Sequence, residues 1–281
     1  MRRLLLILVA VVLALGASAK GKRIVILHTN DTHSQVYPFN TNLMDTLKAG
    51  RAGNVRRTAY VNEQRKVYGT NMLLLDSGDF SQGSSYYTMF KGDVEIGLMN
   101  IMGYDAATIG NHEFDFGLEN MARLFDKAKF PIVCANYDFR STPCESLVKP
   151  YVVIERNGVK IGIFGLSPRI EGLVAAKNFE GVKFLEPIPM AELMVKQLRE
   201  GEKCDMVICL SHLGYKSGDG DRSDEVVAAK TSGIDLILGG HTHSYLEKPV
   251  EVTNRDGGVV TIVQNGKSGI FMSKLVVELD K

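Results

Sequence analysis

The sequence predicts an α/β fold: a single domain built as a mixed two-sheet β-sandwich flanked by helices, in four αββα layers. Two observations lead to this prediction. In the first half of the chain, short apolar runs alternate with helix-like segments, as parallel strands with helical crossovers do. The second half breaks this alternation with a hairpin and a strand-rich tail, whereas a (β/α)8 barrel would keep alternating to its end. The barrel is therefore the second choice.

The individual elements follow from hydrophobic pattern and turn residues. Apolar runs short enough to be strands buried on both faces occupy residues 24–27, 72–75, 106–109, 132–135, 206–210 and 236–238. Helices are predicted over residues 52–67, 94–102, 118–128, 188–199 and 224–231. Asn157-Gly158 separates strands 151–155 and 159–166 and is a strong hairpin signal. Strands 250–252, 259–264 and 273–279 form the tail, with a turn at Asp256-Gly257.

The first 19 residues have the pattern of a secretory signal peptide. Arg2 and Arg3 precede an apolar run over residues 4–15, and an A-x-A cleavage pattern ends at Ala19. This run is shorter than the roughly 20 residues that span a bilayer. We therefore expect a secreted protein, in the bacterial periplasm, whose domain is residues 20–281 and which keeps no membrane anchor after cleavage.

Composition excludes some classes of function and leaves others open. Lys and Arg number 33 against 32 Asp and Glu, and no basic stripe is present that could follow a nucleic acid. The four cysteines lack a C-x-x-C spacing, so we expect them to be buried thiols, with two disulfides in one of three connectivities as the alternative.

Chemistry-bearing residues are concentrated in five short polar loops, each directly after an apolar run, and these loops contain five of the six histidines. Ligands at the carboxyl ends of parallel strands meet in one crevice. The pattern therefore predicts a two-metal hydrolase centre whose candidate ligands are Asp31, His33, Asp79, Asn111, His212, His241 and His243.

The residue types suggest how metals would be held. Asp31 and His33, two apart on a segment expected to be extended, would point to the same side and share a metal. Asp79 could bridge two cations, and Asn111 offers a neutral oxygen. Imidazole nitrogens suit Zn, Mn, Fe or Co, so the sequence predicts two divalent ions without fixing their identity.

These motifs resemble the calcineurin-like metallophosphoesterase signature. Residues 27–33 and 111–117 are similar to those of bacterial secreted 5′-nucleotidases. The resemblance implies the four-layer fold, one metal held by Asp31, His33, Asp79 and His243, and a second held by Asp79, Asn111, His212 and His241. Relatives often have Gln or Asn where His243 stands.

The resemblance also implies a reaction. A hydroxide held between the two metals would attack the phosphorus of a small-molecule phosphate ester, with a nucleotide as the expected substrate. His112 is left over as a catalytic residue that stabilises charge or protonates the leaving alcohol. Asp115, three residues on, can hold the other ring nitrogen of His112.

The length of the chain departs from the full secreted 5′-nucleotidases, which have a C-terminal nucleoside-binding domain that we expect to be absent here. Three hypotheses follow: a stand-alone phosphatase, the metal-bearing half of a split enzyme completed by a separate nucleoside-binding chain, or a phosphodiesterase acting, for example, on 2′,3′-cyclic nucleotides.

Other polar features receive structural interpretations. We expect His28 to be structural or to support the metal ligands, the acidic stretch 219–225 to be a solvated turn that opens a helix, and the basic residues on helix 52–67 and directly before it to form an exposed face. These are Arg51, Arg56, Arg57, Arg65 and Lys66.

Overall fold

The strands of the computed structural model, which describes residues 22–216 and 222–279, form two six-stranded sheets and a small two-stranded one. They are β1 (Lys22–Thr29), β2 (Met72–Asp76), β3 (Ala106–Thr108), β4 (Ile132–Val133), β5 (Tyr137–Asp138), β6 (Val148–Lys149), β7 (Tyr151–Arg156), β8 (Val159–Leu166), β9 (Lys183–Phe184), β10 (Met206–Ser211), β11 (Leu236–Leu238), β12 (Val250–Thr253), β13 (Val259–Val263) and β14 (Ser273–Leu279).

Within the described residues, six α-helices flank the two large sheets. They are α1 (Asn54–Tyr68), α2 (Ser85–Phe90), α3 (Asp93–Met102), α4 (Gly117–Lys127), α5 (Pro187–Lys196) and α6 (Asp224–Lys230). A π-helical turn at Gln197–Gly201 follows α5 directly. These helices agree with the predicted ones to within a few residues, except α2, which no periodic pattern marks because it is six residues long.

Each large sheet has a parallel centre. The first has the order β14-β1-β2-β3-β4-β6, with only β14 antiparallel to its neighbour. The second has the order β12-β13-β11-β10-β8-β7, with antiparallel edge strands β12 and β7. The β7–β8 hairpin turns at Asn157 and Gly158, whose φ angles of 52° and 68° are those of the expected tight turn. The predicted mixed α/β fold is confirmed.

Alternating side chains divide the core into layers. Ile24 and Ile26 of β1 face the other sheet, where they pack in one cluster with residues such as Ile161 and Ile208. Val25 and Leu27, the alternate residues of β1, pack beneath the helices of the first sheet. A third cluster lies between the second sheet and helices α5 and α6. Because strand side chains alternate in direction, each sheet buries both of its faces.

The cysteines at residues 134, 144, 204 and 209 are buried free thiols, as predicted. The structure does not contain the two disulfides of the alternative prediction. Within residues 22–216 and 222–279, no helix is long and apolar enough to cross a bilayer. The proposed signal peptide, residues 1–19, lies outside the described residues.

Candidate metal centre

The seven candidate ligands lie in loops that leave the carboxyl ends of parallel strands. Asp31 and His33 follow β1, Asp79 follows β2, and Asn111 follows β3. From the second sheet, His212 follows β10, and His241 and His243 follow β11. Because both sheets direct these strand ends to the same edge, side chains far apart in sequence are brought together there.

The backbone of the first loop differs from the prediction. Strand β1 ends at Thr29, and Asp31 and His33 have φ angles of 47° and 44°, so the segment is left-handed rather than extended. The cause is pairing between loops: Asp31 N–H donates to the Gly78 carbonyl at 2.9 Å, and His33 N–H donates to the Asp79 carbonyl at 3.0 Å. The two side chains still point to one site, with His33 Nε2 3.8 Å from Asp31 Oδ1.

Positive φ recurs across the site. Asp79, His241 and His243 have φ angles of 54°, 73° and 54°. Such conformations are unfavourable for residues with a side chain and persist only where surrounding structure enforces them. Most of the candidate ligands are thus held in strained backbone, which is typical of functional sites.

The ligand atoms form overlapping groups. Three sets each have their donor atoms within 4.8 Å of one another: Asp31, His33, His243; His33, Asp79, His112; and Asp79, His212, His241. His212 Nε2 lies 3.1 Å from Asp79 Oδ2. His33 Nε2 lies 3.0 Å from His243 Nε2, and the latter atom is 3.4 Å from Asp31 Oδ1.

Neighbouring groups fix the orientation of these ligands. The Ser77 carbonyl accepts from His212 Nδ1 at 2.6 Å, which leaves Nε2 free to face the carboxylates. Asp31 Oδ2 accepts from Asn30 Nδ2 at 2.7 Å and from the His241 backbone N–H at 3.0 Å. Partners of this kind set the tautomer and rotamer of metal ligands.

Electrostatics favours the charged state of Asp79 and the neutral state of His241 that cation binding needs, whereas His212 would have to release a proton to bind a cation. Burial opposes the charge of Asp79, but the adjacent imidazoles, His212 first, outweigh it and hold the pKa of that carboxyl well below its usual range. Burial would lower the pKa of His212, yet Asp79 and Asp31 raise it to about 10. Burial and the neighbouring His212 lower the pKa of His241 to about 4, so this imidazole is neutral near pH 7.

Unpartnered atoms and close packing show that the residues present fit divalent metal ions. Asn111 Oδ1 and His212 Nε2 are buried without a properly oriented hydrogen-bond partner, and buried polar atoms rarely stay unpaired. A Cβ on Gly110 would overlap Asp79 Oδ1, and one on Gly240 would lie 2.8 Å from His212 Nδ1. Glycine at these two positions lets the backbone approach the ligands, and carboxylate, amide and imidazole donors together suit first-row divalent metals.

His112 and Asp115 stand at the rim of this group. Asp115 Oδ2 lies 3.0 Å from His112 Nδ1, and the two side chains are about 30% exposed (31% and 30%). The His112 backbone N–H donates to Asp79 Oδ1 at 2.9 Å. Burial lowers the pKa of His112, but the hydrogen bond to Asp115 and the nearby carboxylates outweigh it and raise the pKa. An imidazole so placed can hold a proton beside the metal ligands.

Glu113 is a supporting residue that sequence reasoning missed. Its buried carboxyl accepts backbone N–H groups of Asp79 at 3.0 Å, Ser81 at 3.1 Å and Gly110 at 2.6 Å. Burial, and secondarily Asp79, raises the pKa of Glu113 to about 7. The Glu113 side chain thus connects the loops after β2 and β3. In the sequence, only its position within the Asn111–Asp115 loop could have indicated this role.

Three structural interpretations can be compared with the structure. His28 is buried between Ser77 Oγ, 3.0 Å from Nε2, and Asn265, so it is structural as predicted. Asp224, expected to be solvated, is fully buried at the start of α6. Arg57, expected on an exposed face, is only 8% exposed. The two latter predictions were therefore wrong at Asp224 and Arg57, because charge alone does not show which polar residues the loops cover. A helix does begin at Asp224, and Arg51, Arg56 and Lys66 are exposed as predicted. Residues 219–221 lie outside the described part of the chain.

Buried carboxylates and imidazoles at one edge of a two-sheet α/β sandwich define a metal-dependent hydrolase. The chain belongs to the calcineurin-like phosphoesterase family, whose model matches residues 24–245. Membership of this family supports metal-dependent phosphoester hydrolysis as the reaction class.

Relatives and solved structures extend this likeness. The trifunctional nucleotide phosphoesterase protein YfkN of Bacillus subtilis is 32% identical over 92% of this chain and 18% of its own length. Rat (Rattus norvegicus) 5′-nucleotidase is 31% identical over 98% of this chain and 50% of its own. The 5′-nucleotidase precursor from Thermus thermophilus superposes with a TM-score of 0.81 at 31% identity, covering 92% of this chain and 52% of that one. The chain thus spans about half the length of the 5′-nucleotidases that it matches.

Proposed function

We propose that this chain hydrolyses phosphomonoesters of nucleotides at a centre holding two divalent metal ions. One observation carries the proposal: Asp79 belongs to two of the three groups of donor atoms, and lies between the His33 side and the His212 side. A carboxylate shared in this way offsets charge at two neighbouring cations. The family membership of the chain supports the same reaction class.

In this proposal, Asp31, His33, Asp79 and His243 hold one ion, and Asp79, Asn111, His212 and His241 hold the other. The contacts of His33 and His243 with Asp31 support the first set. The 3.1 Å approach of His212 to Asp79 and the unpartnered Asn111 Oδ1 support the second. When bound, such a pair of ions lowers the pKa of a shared water and polarises the phosphoryl oxygens.

His112 would be the catalytic residue at the leaving-group side. Its Nδ1 faces Asp115, so its Nε2 is the atom available to the substrate. A proton held there can stabilise charge on the phosphoryl group or pass to the departing alcohol. Asp115 would be the positioning residue, because it orients the ring and raises its pKa.

Nucleotides are the proposed substrate class because the full-length matching relatives are called 5′-nucleotidases or nucleotide phosphoesterases. A second proposal is that a separate nucleoside-binding chain completes the site. A third proposal is that the same centre hydrolyses phosphodiesters, such as 2′,3′-cyclic nucleotides. We also propose export to the periplasm by residues 1–19, which a mature N-terminus at Lys20 in the periplasmic fraction would support.

The test measures phosphate release by the purified chain loaded with Mn²⁺ or Zn²⁺. The substrates are 5′-AMP, a simple aryl phosphate and 2′,3′-cyclic AMP. For the cyclic substrate, a phosphatase is added afterwards to release phosphate from the monoester product. His112→Ala and a metal-free sample are assayed alongside. A strong, His112-dependent preference for 5′-AMP is the expected result for a stand-alone nucleotidase.

Other outcomes separate the alternatives. Weak, metal-dependent release from both monoesters would favour the split enzyme, because remote binding energy that orients a nucleoside would be missing. Preference for the cyclic substrate would favour the phosphodiesterase. Release that is independent of metal, or absent under all conditions, would refute the proposed function.

A further inference from the structure

A cavity separate from the metal centre lies between the start of α1 and residues 269–272. It has a volume of about 260 Å³, and its walls include Arg51, Arg56, Arg57, Tyr60 and Phe271. None of its lining residues, all within the described part of the chain, is a carboxylate or a candidate metal ligand. Its lining is thus positively charged and partly aromatic.

Arg57 is the residue that distinguishes this cavity from an ordinary basic surface. Its side chain is buried, with a residue exposure of 8%, and Nη1 donates to Asn54 Oδ1 at 2.9 Å. Nη2 is buried and has no hydrogen-bond partner. This half of the guanidinium packs against Gly269, a wall residue, so closely that a Cβ there would overlap Nη2. Because Nη2 is buried and Arg57 also interacts with the buried Tyr104 and Asp76, this residue contributes a positive charge to the cavity wall rather than an open N–H group.

The surrounding charges favour an anion. Within the described residues, the Arg51 guanidinium makes no hydrogen bond or ion pair, and Arg56 donates only to the Gly50 carbonyl. The buried Asp76 is the carboxylate whose charge Arg57 influences. Two of the three guanidinium charges therefore have no carboxylate partner.

The start of α1 adds to this field. Its N-cap is Gly53, which offers no side-chain acceptor, and its first turn contains no acidic residue. Ala52 and Gly53 line the cavity. The Asn54 N–H at this end already donates to the Val36 carbonyl at 2.8 Å, so the next N–H groups of the first turn are those that can attract an anion. The helix end and the arginines thus act on the same cavity.

We propose that this cavity is a second anion site, which binds a phosphate-class oxyanion through the exposed Arg51 and Arg56, in the field of the buried Arg57 charge. Arg guanidinium groups match the paired oxygens of phosphate. Tyr60 and Phe271 form apolar walls that can accept an attached aromatic group. The site lies behind the metal-binding loop, because Ser268 N–H, next to Gly269, donates to the Asp31 carbonyl at 2.6 Å.

The test is equilibrium dialysis of the metal-loaded chain against radiolabelled inorganic phosphate at low ionic strength. The wild type is compared with Arg51→Ala/Arg56→Ala, which changes only exposed side chains and so spares the fold. A matched control, Lys66→Ala/Lys129→Ala, removes the same number of positive charges from exposed positions outside the cavity.

We expect the wild-type chain to bind a second phosphate ion besides the one at the metal centre. The lysine control and Asp79→Asn, whose metal centre is disabled, should both still bind this second phosphate. The arginine variant should weaken this second site at least about tenfold, and Arg51→Lys/Arg56→Lys should restore part of the loss. A non-hydrolysable phosphonate analogue of 5′-AMP that binds this site more tightly than phosphate would identify a nucleotide; equal affinity would identify free phosphate.

Binding that is identical in wild type and the arginine variant would overturn the proposal, as would a single site that disappears in Asp79→Asn. Neither result depends on hydrolysis. The proposed function is tested by metal-dependent phosphate release instead. A failure of the anion site and a failure of the proposed function are therefore distinguishable.

Discussion

The two halves of the chain contribute different chemistry to one centre. Five buried carboxyl groups lie in residues 22–150, at positions 31, 76, 79, 95 and 113, whereas residues 151–279 bury one among those described, Asp224. The first half supplies Asp31, His33, Asp79 and Asn111, and the second supplies only imidazoles. One half therefore concentrates buried carboxyl groups and the other provides imidazoles, so neither half contains a complete centre.

The largest expected effect comes from the carboxylate at the boundary between the halves. Asp79→Asn should lower kcat/KM at least about a thousandfold, the scale of losing a group that stabilises developing charge, and should reduce bound metal. His241→Ala, a change in the second half, should remove one ion and leave the other. Phosphate release and elemental analysis of dialysed protein measure both effects.

Asp93→Asn is the control for this charge change, because Asp93 is exposed on α3 and pairs with Arg123 and Lys127. If Asp79→Asn kept full metal content and activity, the carboxylates of the first half would not organise the centre. The contrast between the halves would then have no functional meaning.

A smaller effect is expected at the rim. His112→Ala should lower kcat about a hundredfold or more, the usual contribution of a general acid, with metal content unchanged because His112 is not a proposed ligand. Asp115→Asn should cost less, about tenfold to a hundredfold, because it only disturbs the ring orientation. A fall in metal content in His112→Ala would instead make His112 a ligand, as its group with His33 and Asp79 allows.

The smallest expected effect is a change in stability from substituting Asp224, the one buried carboxyl group described in the second half. Burial raises the pKa of Asp224 from an ordinary 3.8 to about 8. Between these values the native chain holds a proton that the unfolded chain has lost, so stability from this group is full below about pH 4 and falls as pH rises toward 8. Asp224→Asn removes this dependence and can keep the contact with Ser211 Oγ.

Urea unfolding at pH 5 and pH 8 measures the difference. At pH 8 the Asp224→Asn chain should be more stable than the wild type by about 1–3 kcal/mol, with a smaller gap at pH 5. Asp256→Asn in the exposed turn is the control. A gap that is the same at both pH values would show that Asp224 does not titrate between them in the native state.

Sequence patterns predicted the elements well where apolar periodicity is strong. Strands β1, β2, β8 and β10, the helices other than α2, and the Asn157-Gly158 turn were all expected from local pattern. The small β5–β9 sheet was not, because two-residue strands carry no periodic signal.

The candidate ligands of the site could be predicted from the sequence, but the backbone conformation and hydrogen bonds that hold them could not. Histidines and aspartates directly after apolar runs can be recognised from the sequence, and the structure brings all seven candidate ligands to the same edge of the two sheets. The left-handed backbone at Asp31 and His33 arises from hydrogen bonds to the loop after β2, which no local pattern contains. Buried Arg57 and Asp224 were missed for the same reason: their burial is decided by segments distant in sequence.

The contacts between Asp31 and His241 span 210 positions of the chain. We expect a contact of such long range to form late in folding, because closing a long loop costs more conformational entropy than forming a local contact. The centre is therefore completed only when both sheets have formed and docked. Cations that bind it would act on the finished molecule, stabilising it by mass action and slowing its opening, rather than directing the early steps of its assembly.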